Sequence, residues 1–488
     1  MDAKIQFDRK FLVKLVLPLI IEQILAVMVG MADMIMVRDA GETAVSGISL
    51  VNTISNLIIY VFAALATGGA VVAAQALGAR KKETALTVSN QLILICFVTG
   101  LAFAVASALL DRQILMLIYG NAEAEVMDAA VVYFFINAFS FPFLAVYNGS
   151  TALFRSMGNS KLSMYVSTVM NILNIIGNAI FVYVFKMGVA GVAYATVISR
   201  ALACIYLFFI LRDQKLDLHI DRYCRLGWDF KIIKSILRIG IPSGVDNAMF
   251  QIGKLFTQAL ITSFGTASLS ANACAATIEL LATIPASATG LAITTVVGQC
   301  VGAGDYDSAK KYTKKLLFSA YTMLWAENII ILAIAPQIAW LYGLSAEGTW
   351  LATLLIRLHS ICAMVMWPCA WSMNATFRAS GDVKYLMVSS MVIMWVFRIG
   401  LAYIIGGWLM SKWGVDIGTI KNAAGEVINS AGKVIGITGA KEFSAGQTVT
   451  VTLGVVGVWV AMFIDWFARC VNNLWRFKSG RWMKKAVV

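Results

Sequence analysis

Residues of the first half of the sequence recur in the second half at one constant spacing. Pro18, for example, recurs as Pro242. At the same separation, Glu22 recurs as the acid Asp246. It also relates Gly41 to Gly265, Thr53 to Thr277, Ile54 to Ile278, Gln75 to Gln299, Gly78 to Gly302 and Ala79 to Ala303; at a slightly shorter separation, Arg155, Gly158 and Lys161 return as Arg378, Gly381 and Lys384. Because self-similarity at a fixed period marks repeated structural units, the chain is predicted to fold as two copies of one unit.

Long apolar stretches place both copies in a membrane. The chain is 60 % hydrophobic and 13 % charged, whereas a soluble domain carries about 25 % charged residues. Stretches long enough to cross a bilayer as helices are predicted near 13–37, 45–75, 87–110, 127–152, 162–185, 189–211, 236–262, 268–298, 316–341, 349–375, 385–409 and 450–470. They predict an all-α membrane protein of twelve transmembrane helices. Six helices per copy make the two repeats parallel, related by a pseudo-twofold axis along the membrane normal.

Lysine and arginine residues lie in alternate loops of the chain. The net charge of +13 therefore reflects membrane topology and does not indicate a nucleic-acid partner. The basic segments are Lys4 to Lys14, Arg80 to Lys82, Arg155 with Lys161, Arg212 to Arg238, Lys310 to Lys315, Arg378 with Lys384, and Arg469 to Lys485. By the positive-inside rule, we expect a multi-pass protein of a prokaryotic plasma membrane with both termini in the cytoplasm. The predicted domains are an N-terminal lobe at 1–211, a cytoplasmic linker at 212–234 and a C-terminal lobe at 235–488.

Asp33 has the most apolar setting of any carboxylate in the chain, between Ala26 and Val37. An ionisable group inside a spanning helix is costly, which makes it a candidate functional residue. Glu22 lies three helical turns earlier, on the same helix face and about 16 Å away. The alternative is that Asp33 caps a helix end beside Arg38.

A row of polar side chains follows in the fifth span. Ser167, Asn171, Asn174 and Asn178 are spaced by four, three and four residues, so they share one helix face. With Thr196 of the sixth span, they could place several oxygens around a small cation such as Na+, or hydrogen-bond a protonated Asp33. The alternative is that these groups only join helices to one another.

The seventh span carries a similar row, Asn247, Gln251, Lys254 and Gln258, beginning beside Asp246. A stripe that includes a lysine is expected to face an aqueous cavity or an acid. Glu279 and Glu327 are possible partners, and a purely structural pair of Lys254 with Glu279 is the alternative. Arg398 is expected to turn inward to a partner that the sequence does not identify. The residues predicted to line a substrate cavity are Glu22, Gln23, Asp246, Asn247, Gln251, Lys254, Glu279, Met366 and Trp367.

Several catalytic signatures are absent from the sequence. It has no GxxxxGK[ST] phosphate loop, no HExxH and no GxSxG, and it contains two histidines. Neither an ATP-driven pump nor a familiar membrane hydrolase is supported, so no enzyme activity is expected. Energy for transport would then come from an ion gradient. We expect no cofactor beyond the coupling ion, and a monomer surrounded by membrane lipid.

The chain resembles the multidrug and toxic compound extrusion (MATE) family of the MOP superfamily over nearly its full length. The motifs that carry the resemblance are Pro18 with Asp33, Gln75 to Ala79, Phe154 to Lys161, Asn174 with Asn178, Gly188 to Thr196, Gly240 to Gly244, Phe377 to Lys384 and Trp459 to Trp466. The resemblance implies an antiporter that exports organic, cationic and amphipathic compounds in exchange for H+ or Na+. The alternative is a flippase for lipid-linked precursors, which requires a cationic cavity.

Within that family the first half is similar to the DinF-like branch. The branch's cation or proton site maps onto Asp33, Asn174, Asn178 and Thr196, although Asn178 stands where the branch usually has a second carboxylate. The acids of the NorM-like site are missing from the matching parts of the second half. The stretch from Lys412 to Thr450 is a further departure, an external insertion that we interpret as a mobile loop, although the alternating residues Gln447 to Leu453 also fit a strand.

Overall fold

The computed structural model describes residues 6–38, 42–120, 122–220, 227–422, 424–440 and 444–487, without the side chains of 31–35, 37, 38 and 42. In these ranges the first half of the chain consists of helices joined by short turns. Its helices are α1 (Arg9–Arg38), α2 (Glu42–Gly78), α3 (Lys82–Leu109), the short α4 (Asp111–Tyr119), α5 (Ala124–Ala138), α6 (Phe141–Ser156), α7 (Ser160–Asn178), which continues as a π-helix (Ala179–Val184), and α8 (Gly188–Leu211).

The second half repeats this order. Its helices are α9 (Phe230–Thr262), α10 (Thr266–Ala282), α11 (Ile284–Gly302), α12 (Tyr306–Leu341), α13 (Ala346–Trp367), α14 (Asn374–Ala379), α15 (Val383–Ile393) and α16 (Gly454–Ser479). A π-helix, Pro368–Ser372, precedes α14, and two more, Met394–Gly400 and Ala402–Leu409, extend α15. All twelve predicted spans therefore correspond to helices, and α5 with α6, α10 with α11 and α13 with α14 each form one of them.

Hydropathy supports most of these spans. Among the described residues, ten helices are long and apolar enough to cross a membrane, or eleven if the bent pair α5 and α6 counts as one span. The remaining predicted span, α9, falls short by hydropathy alone, because Asp246, Lys254 and the polar stripe beside them make it less apolar. This helix packs along α2 of the first half, which shelters part of its surface from lipid.

The two halves meet through a symmetric contact that we call the interlobe latch, formed by Gln75, Gly78, Gln299 and Gly302. Gln75 Nε2 donates to the carbonyl of Ala379 at 2.7 Å. In the repeat-related position, Gln299 Nε2 donates to the carbonyl of Ser156 at 2.8 Å. A Cβ on Gly78 would lie 1.9 Å from the carbonyl oxygen of Gln299, and one on Gly302 would lie 2.0 Å from that of Gln75. Only glycine permits this approach of α2 and α11.

Gly302→Ala is expected to push α2 and α11 apart and weaken the latch, because over-packing typically costs about 1 to 3 kcal/mol. Spin labels on the exposed residues Lys82 and Lys311, near the starts of α3 and α12, should report a longer mean distance in the variant. Gly290→Ala is the matched control in α11, since its Cβ would meet its nearest neighbour at 3.8 Å. An unchanged label distance in Gly302→Ala would show that the latch tolerates a methyl group.

The insertion near 412–450 folds as a sheet, so its interpretation as a loop was wrong. The described residues of the insertion form four antiparallel strands in the order β3-β2-β1-β4. They are β1 (Gly414–Ile420), β2 (Glu426–Ile428), β3 (Val434–Ile437) and β4 (Thr448–Thr452). The alternation noted from Gln447 to Leu453 becomes β4, whose residues Val449 and Val451 are buried while the threonines between them are exposed.

Candidate functional site

A polar cavity of about 530 Å³ lies within the first half, among α1, α2, α5, α7 and α8. Its polar lining consists of Ser49, Asn52, Asn56, Tyr133, Asn171, Asn174, Thr196, Ser199 and Arg200. The predicted spacing along α7 explains its contribution, because Asn171 and Asn174 follow one another on one helix face. The cavity therefore brings together Asn171, Asn174 and Thr196, three of the first-half polar residues singled out in the sequence.

Three predicted residues of the fifth and sixth spans, Asn174, Asn178 and Thr196, form one hydrogen-bonded chain. Asn178 Nδ2 donates to Asn174 Oδ1 at 3.4 Å, and Asn174 Nδ2 donates to Thr196 Oγ1 at 3.3 Å. Asn178 is fully buried, whereas Asn174 and Thr196 reach the cavity. The amide nitrogen of Asn171 is buried and has no hydrogen-bond partner among the described residues. These bonds agree with the alternative that the polar residues join helices to one another. That alternative does not explain the amide N–H group of Asn171, which has no partner among the described residues.

Asp33 itself is not placed by these contacts, because its side chain lies outside the described residues, as does that of Arg38. The cavity is lined from α1 by Ala26, Val29 and Gly30. Asp33 follows Gly30 by three residues, a spacing at which helix positions share a face. The position of Asp33 on α1 therefore continues the face that lines the cavity.

Arg200 of α8 was missed by the sequence reasoning. It lines the first-half cavity, and its guanidinium donates to Ser140 Oγ at 2.7 Å and to Asn137 Oδ1 at 3.3 Å. The signal was available, because a basic residue in the middle of an apolar span is itself a candidate.

A second cavity, of about 380 Å³, lies between the halves and is lined by α2 and α6 from one and by α11, α13 and α14 from the other. The walls are related by the repeat, with Ala152 and Arg155 opposite Ala375 and Arg378. The interlobe latch lies next to this cavity, because Gln75 and Gln299 come directly after the cavity-lining parts of α2 and α11. The latch thus closes one end of this interlobe cavity.

Each arginine of the interlobe cavity is paired with an acid predicted to line it. Arg155 Nη2 donates to Glu22 Oε1 at 2.8 Å, and Ser163 Oγ donates to the other Glu22 oxygen at 3.0 Å. The repeat-related pair is Arg378 with Asp246, at 3.6 Å. In contrast to the prediction, Glu22 and Asp246 therefore do not line the cavity themselves but pair with the two arginines that line it.

The remaining cavity predictions divide as follows. Trp367 lines the interlobe cavity, whereas Gln23, Asn247, Gln251, Lys254, Glu279 and Met366 do not. Gln251 Nε2 donates instead to the hydroxyl of Tyr60 on α2 at 2.8 Å. Met366 packs against the hydrophobic core of the second half. Gln251 is directed toward the first half and not into the cavity, because α9 packs along α2.

The second half contains a charge cluster of Lys254, Glu279, Arg398, Asp465 and Arg469. Asp465 is fully buried, and both of its oxygens accept from Arg469 Nε at 3.1 Å. Arg398, buried as predicted, lies 3.9 Å from Asp465, which supplies the partner that the sequence did not identify. The suggested Lys254 to Glu279 pair is not among the ion pairs of the described residues, although the two charges are close enough to interact. Lys254 lies 5.2 Å from the ring centre of Phe250 instead.

Comparison with known proteins matches both halves to one family. The MatE family profile matches residues 18–180 and again 242–404, in agreement with the repeat that relates Pro18 to Pro242. The chain belongs to the MatE family. It is therefore a multi-pass membrane protein of a transporter family. The assignment to the DinF-like branch stays a prediction, since relatives named NorM also match along the chain.

Curated relatives of the MatE-family chain align over most of its length. The uncharacterized transporter YisQ of Bacillus subtilis strain 168 is 25 % identical, with 98 % of this chain and 96 % of YisQ covered. The probable multidrug resistance protein YoeA of the same organism is 26 % identical, with coverages of 81 % and 85 %. The probable multidrug resistance protein NorM of Thermotoga maritima is 25 % identical, with coverages of 98 % and 94 %.

Solved structures share the fold. A multidrug resistance MATE family transporter of the MOP superfamily, in an outward-facing conformation, superimposes with a TM-score of 0.81 at 20 % identity, covering 98 % of this chain and 97 % of that one. A MOP superfamily transporter from Pyrococcus furiosus gives 0.80 at 21 % identity with the same coverages. The arrangement of two related helical halves is therefore shared with solved transporters of this superfamily.

Proposed function

We propose that this chain is a secondary active antiporter that exports organic compounds in exchange for H+ or Na+ by alternating access. The observation that carries the proposal is the interlobe cavity, which both halves line with repeat-related residues and which the latch closes at one end. A cavity on a pseudo-twofold axis can open to either side of the membrane when the halves rock. Relatives named multidrug resistance proteins support export of drugs or toxins.

The direction of the cavity follows from the charges near the latch. The latch lies beside the basic segments Arg80 to Lys82 and Lys310 to Lys315, which the positive-inside rule assigns to the cytoplasm. The structure then represents a state closed to the cytoplasm. In this state cargo leaves outward, and an ion enters from outside.

We assign ion coupling to the first-half cavity. Asp33, Asn174, Asn178 and Thr196 are the proposed coupling residues, with Na+ or a proton at Asp33. Apolar surroundings favour the neutral form of a carboxyl group, and a bound cation or hydrogen-bond donors favour the charged form. Ion and cargo can then be coupled without touching, through their different affinities for the two conformations.

The interlobe cavity also constrains the cargo. Glu22 and Asp246 balance the charges of Arg155 and Arg378, so the lining is close to neutral as a whole. An organic cation that is flat and apolar could contact Trp367, whereas a small hard cation beside the two guanidinium groups would be repelled. We therefore propose an amphipathic cargo whose cationic part lies toward the tryptophan.

Efflux from proteoliposomes tests the antiport proposal. Liposomes loaded with ethidium are given an inward H+ gradient alone or an inward Na+ gradient alone. We expect accelerated efflux with one of the two gradients and no acceleration without a gradient. If neither gradient changes the efflux rate, antiport of this type of cargo is wrong.

A flippase for lipid-linked precursors is the second candidate, and one observation favours it. Within the predicted spans of the second half, the sequence offers Lys254 and Arg398 as cations for a pyrophosphate group. The interlobe cavity adds Arg155 and Arg378, which face each other across the pseudo-twofold axis. Specific binding of a polyprenyl pyrophosphate, combined with no gradient-driven dye efflux, would place this candidate first.

A further inference from the structure

A groove of about 520 Å³ lies between the end of α12, the start of α13 and the sheet of the insertion. We call it the cap groove, and the lining residues that matter here are Trp340, Trp350, Leu354, Arg357, Lys433 and Val434. Because α12 begins beside the latch and runs for 36 residues, the cap groove lies at the opposite face of the membrane. It is separate from both cavities described above.

The insertion is fixed over this groove by contacts to the first turn of α13. The hydroxyl of Thr438 donates to Glu347 Oε1, and the backbone N–H of Gly439 donates to Glu347 Oε2 at 3.1 Å. Gly436 of β3 rests on Ala346, where a Cβ would come within 3.1 Å of the Ala346 Cα. These contacts hold Lys433, in the turn before β3, at the mouth of the groove.

Arg357 is the unusual residue of the groove. It lies three turns into α13, about 16 Å from the helix start, and α13 belongs to an apolar span. Neither Arg357 nor Lys433 takes part in an ion pair among the described residues. A cation at this depth requires an anion or water. At the separation that relates Arg155 to Arg378, the first-half counterpart of Arg357 is the buried Phe134, so the charge belongs to this groove and not to the repeat.

The other wall of the groove is apolar and faces outward. Trp340 is 74 % exposed, its neighbour Leu341 is 78 % exposed, and Val434 is 45 % exposed. Indole rings at a helix end are typical of the membrane interface. Two unpaired cations beside an exposed apolar wall match an amphiphile with an anionic head and a hydrocarbon tail.

We propose that the cap groove binds an anionic phospholipid from the leaflet on the side of the insertion. Its phosphate lies between Arg357 and Lys433, with Trp340 beside it at the interface, and its acyl chain extends along the apolar wall that includes Leu354 toward the bilayer centre. The insertion thereby gives this chain a lipid site that the repeated unit lacks. The proposal does not depend on the direction or the ion of transport.

Native mass spectrometry of delipidated protein in neutral detergent tests the site. Phosphatidylglycerol is titrated against phosphatidylcholine, and the affinity of the first bound lipid is compared among variants. Wild-type protein should prefer phosphatidylglycerol. Because each basic residue near a bilayer surface contributes about fivefold to the binding of anionic lipid, Arg357→Gln and Lys433→Gln should each weaken that first binding step about fivefold. The double variant should lose the preference.

The controls separate this site from general lipid attraction. Lys421→Gln removes an exposed charge from the same insertion but outside the groove, and it should bind as wild type does. Arg357→Lys should restore most of the preference. Should Arg357→Gln fail to fold, Lys433→Gln still tests the site, since it changes only an exposed turn.

Three results would overturn the proposal. The first is equal binding of the two lipids by wild-type protein, and the second is an unchanged preference in the double variant. The third is complete displacement of phosphatidylglycerol by inorganic phosphate, which would assign the site to a soluble anion.

Discussion

Asp33→Asn is expected to abolish gradient-driven export while leaving the protein folded and inserted. Asparagine keeps the size of the side chain but removes the charge that can bind a cation or release a proton. Since ion and cargo are coupled only through groups that respond to the ion, the rate of dye efflux should no longer depend on the imposed gradient. Efflux from proteoliposomes should fall to the level of protein-free liposomes.

Asp111→Asn is the matched control for this experiment. Asp111 begins α4, outside the predicted spans and away from both cavities. Its variant should retain the full dependence on the gradient. If Asp33→Asn exports dye at the wild-type rate and the protein is correctly inserted, the coupling residue lies elsewhere, and Glu327, with a buried oxygen that lacks a partner among the described residues, becomes the next acid to replace.

Asp465→Asn is expected to lower the free energy of unfolding by about 3 to 5 kcal/mol, the usual cost of breaking a buried ion pair. Asp465 is fully buried and is the acid nearest to both Arg398 and Arg469. The variant leaves two buried guanidinium groups without their carboxylate. Arg469 still donates to the hydroxyl and carbonyl of Ser390, which compensates only part of the loss. Unfolding in mixed micelles of SDS and a mild detergent measures the difference.

Asp128→Asn provides the comparison with an exposed pair. Asp128 lies 3.9 Å from Arg112, and both side chains are more than half exposed. Pairs of this kind contribute about 0 to 1 kcal/mol, so its unfolding curve should stay close to that of wild type. A similar small change in Asp465→Asn would mean that water or another acid stabilises the arginines.

The helices were predictable because the signals that define them are local. Hydropathy over the length of one membrane-spanning helix, together with the repeat, located all twelve spans, and the polar spacing along α7 correctly grouped Asn171 and Asn174. The orientation of α9 was not predictable in this way. Which face of α9 lies against α2 depends on packing between residues far apart in the sequence, such as Gln251 and Tyr60.

The paired arginines of the interlobe cavity could have been found from the repeat. Glu22 recurs as an acid and Arg155 recurs as an arginine, so any contact between them in one half predicts the same contact in the other. We treated Glu22 as a cavity residue and Arg155 as a loop charge, because the sequence alone does not show that they are within reach. The structure joins them because Arg155 lies at the end of α6, directly before α7, and α7 packs against α1.

The sheet of the insertion was missed because its composition, rich in Gly, Ala, Ser, Thr and Lys, was interpreted as that of a mobile loop. Gly432 has a φ of +74° and Gly446 has a φ of +85°, values that glycine adopts readily. Gly432 closes the turn from Asn429 to Lys433, and Gly446 precedes β4. Glycine in these positions defines the tight turns between strands, and the threonine and valine alternation was the more informative signal.

The reciprocal bonds of Gln75 and Gln299 have a consequence for the origin of the chain. Each half presents the same glutamine, the same glycine and the same acceptor position to the other, which is the pattern of an isologous interface between identical subunits. A six-helix ancestor could have formed this contact as a parallel homodimer. Gene duplication and fusion would then have joined two protomers whose association was already encoded.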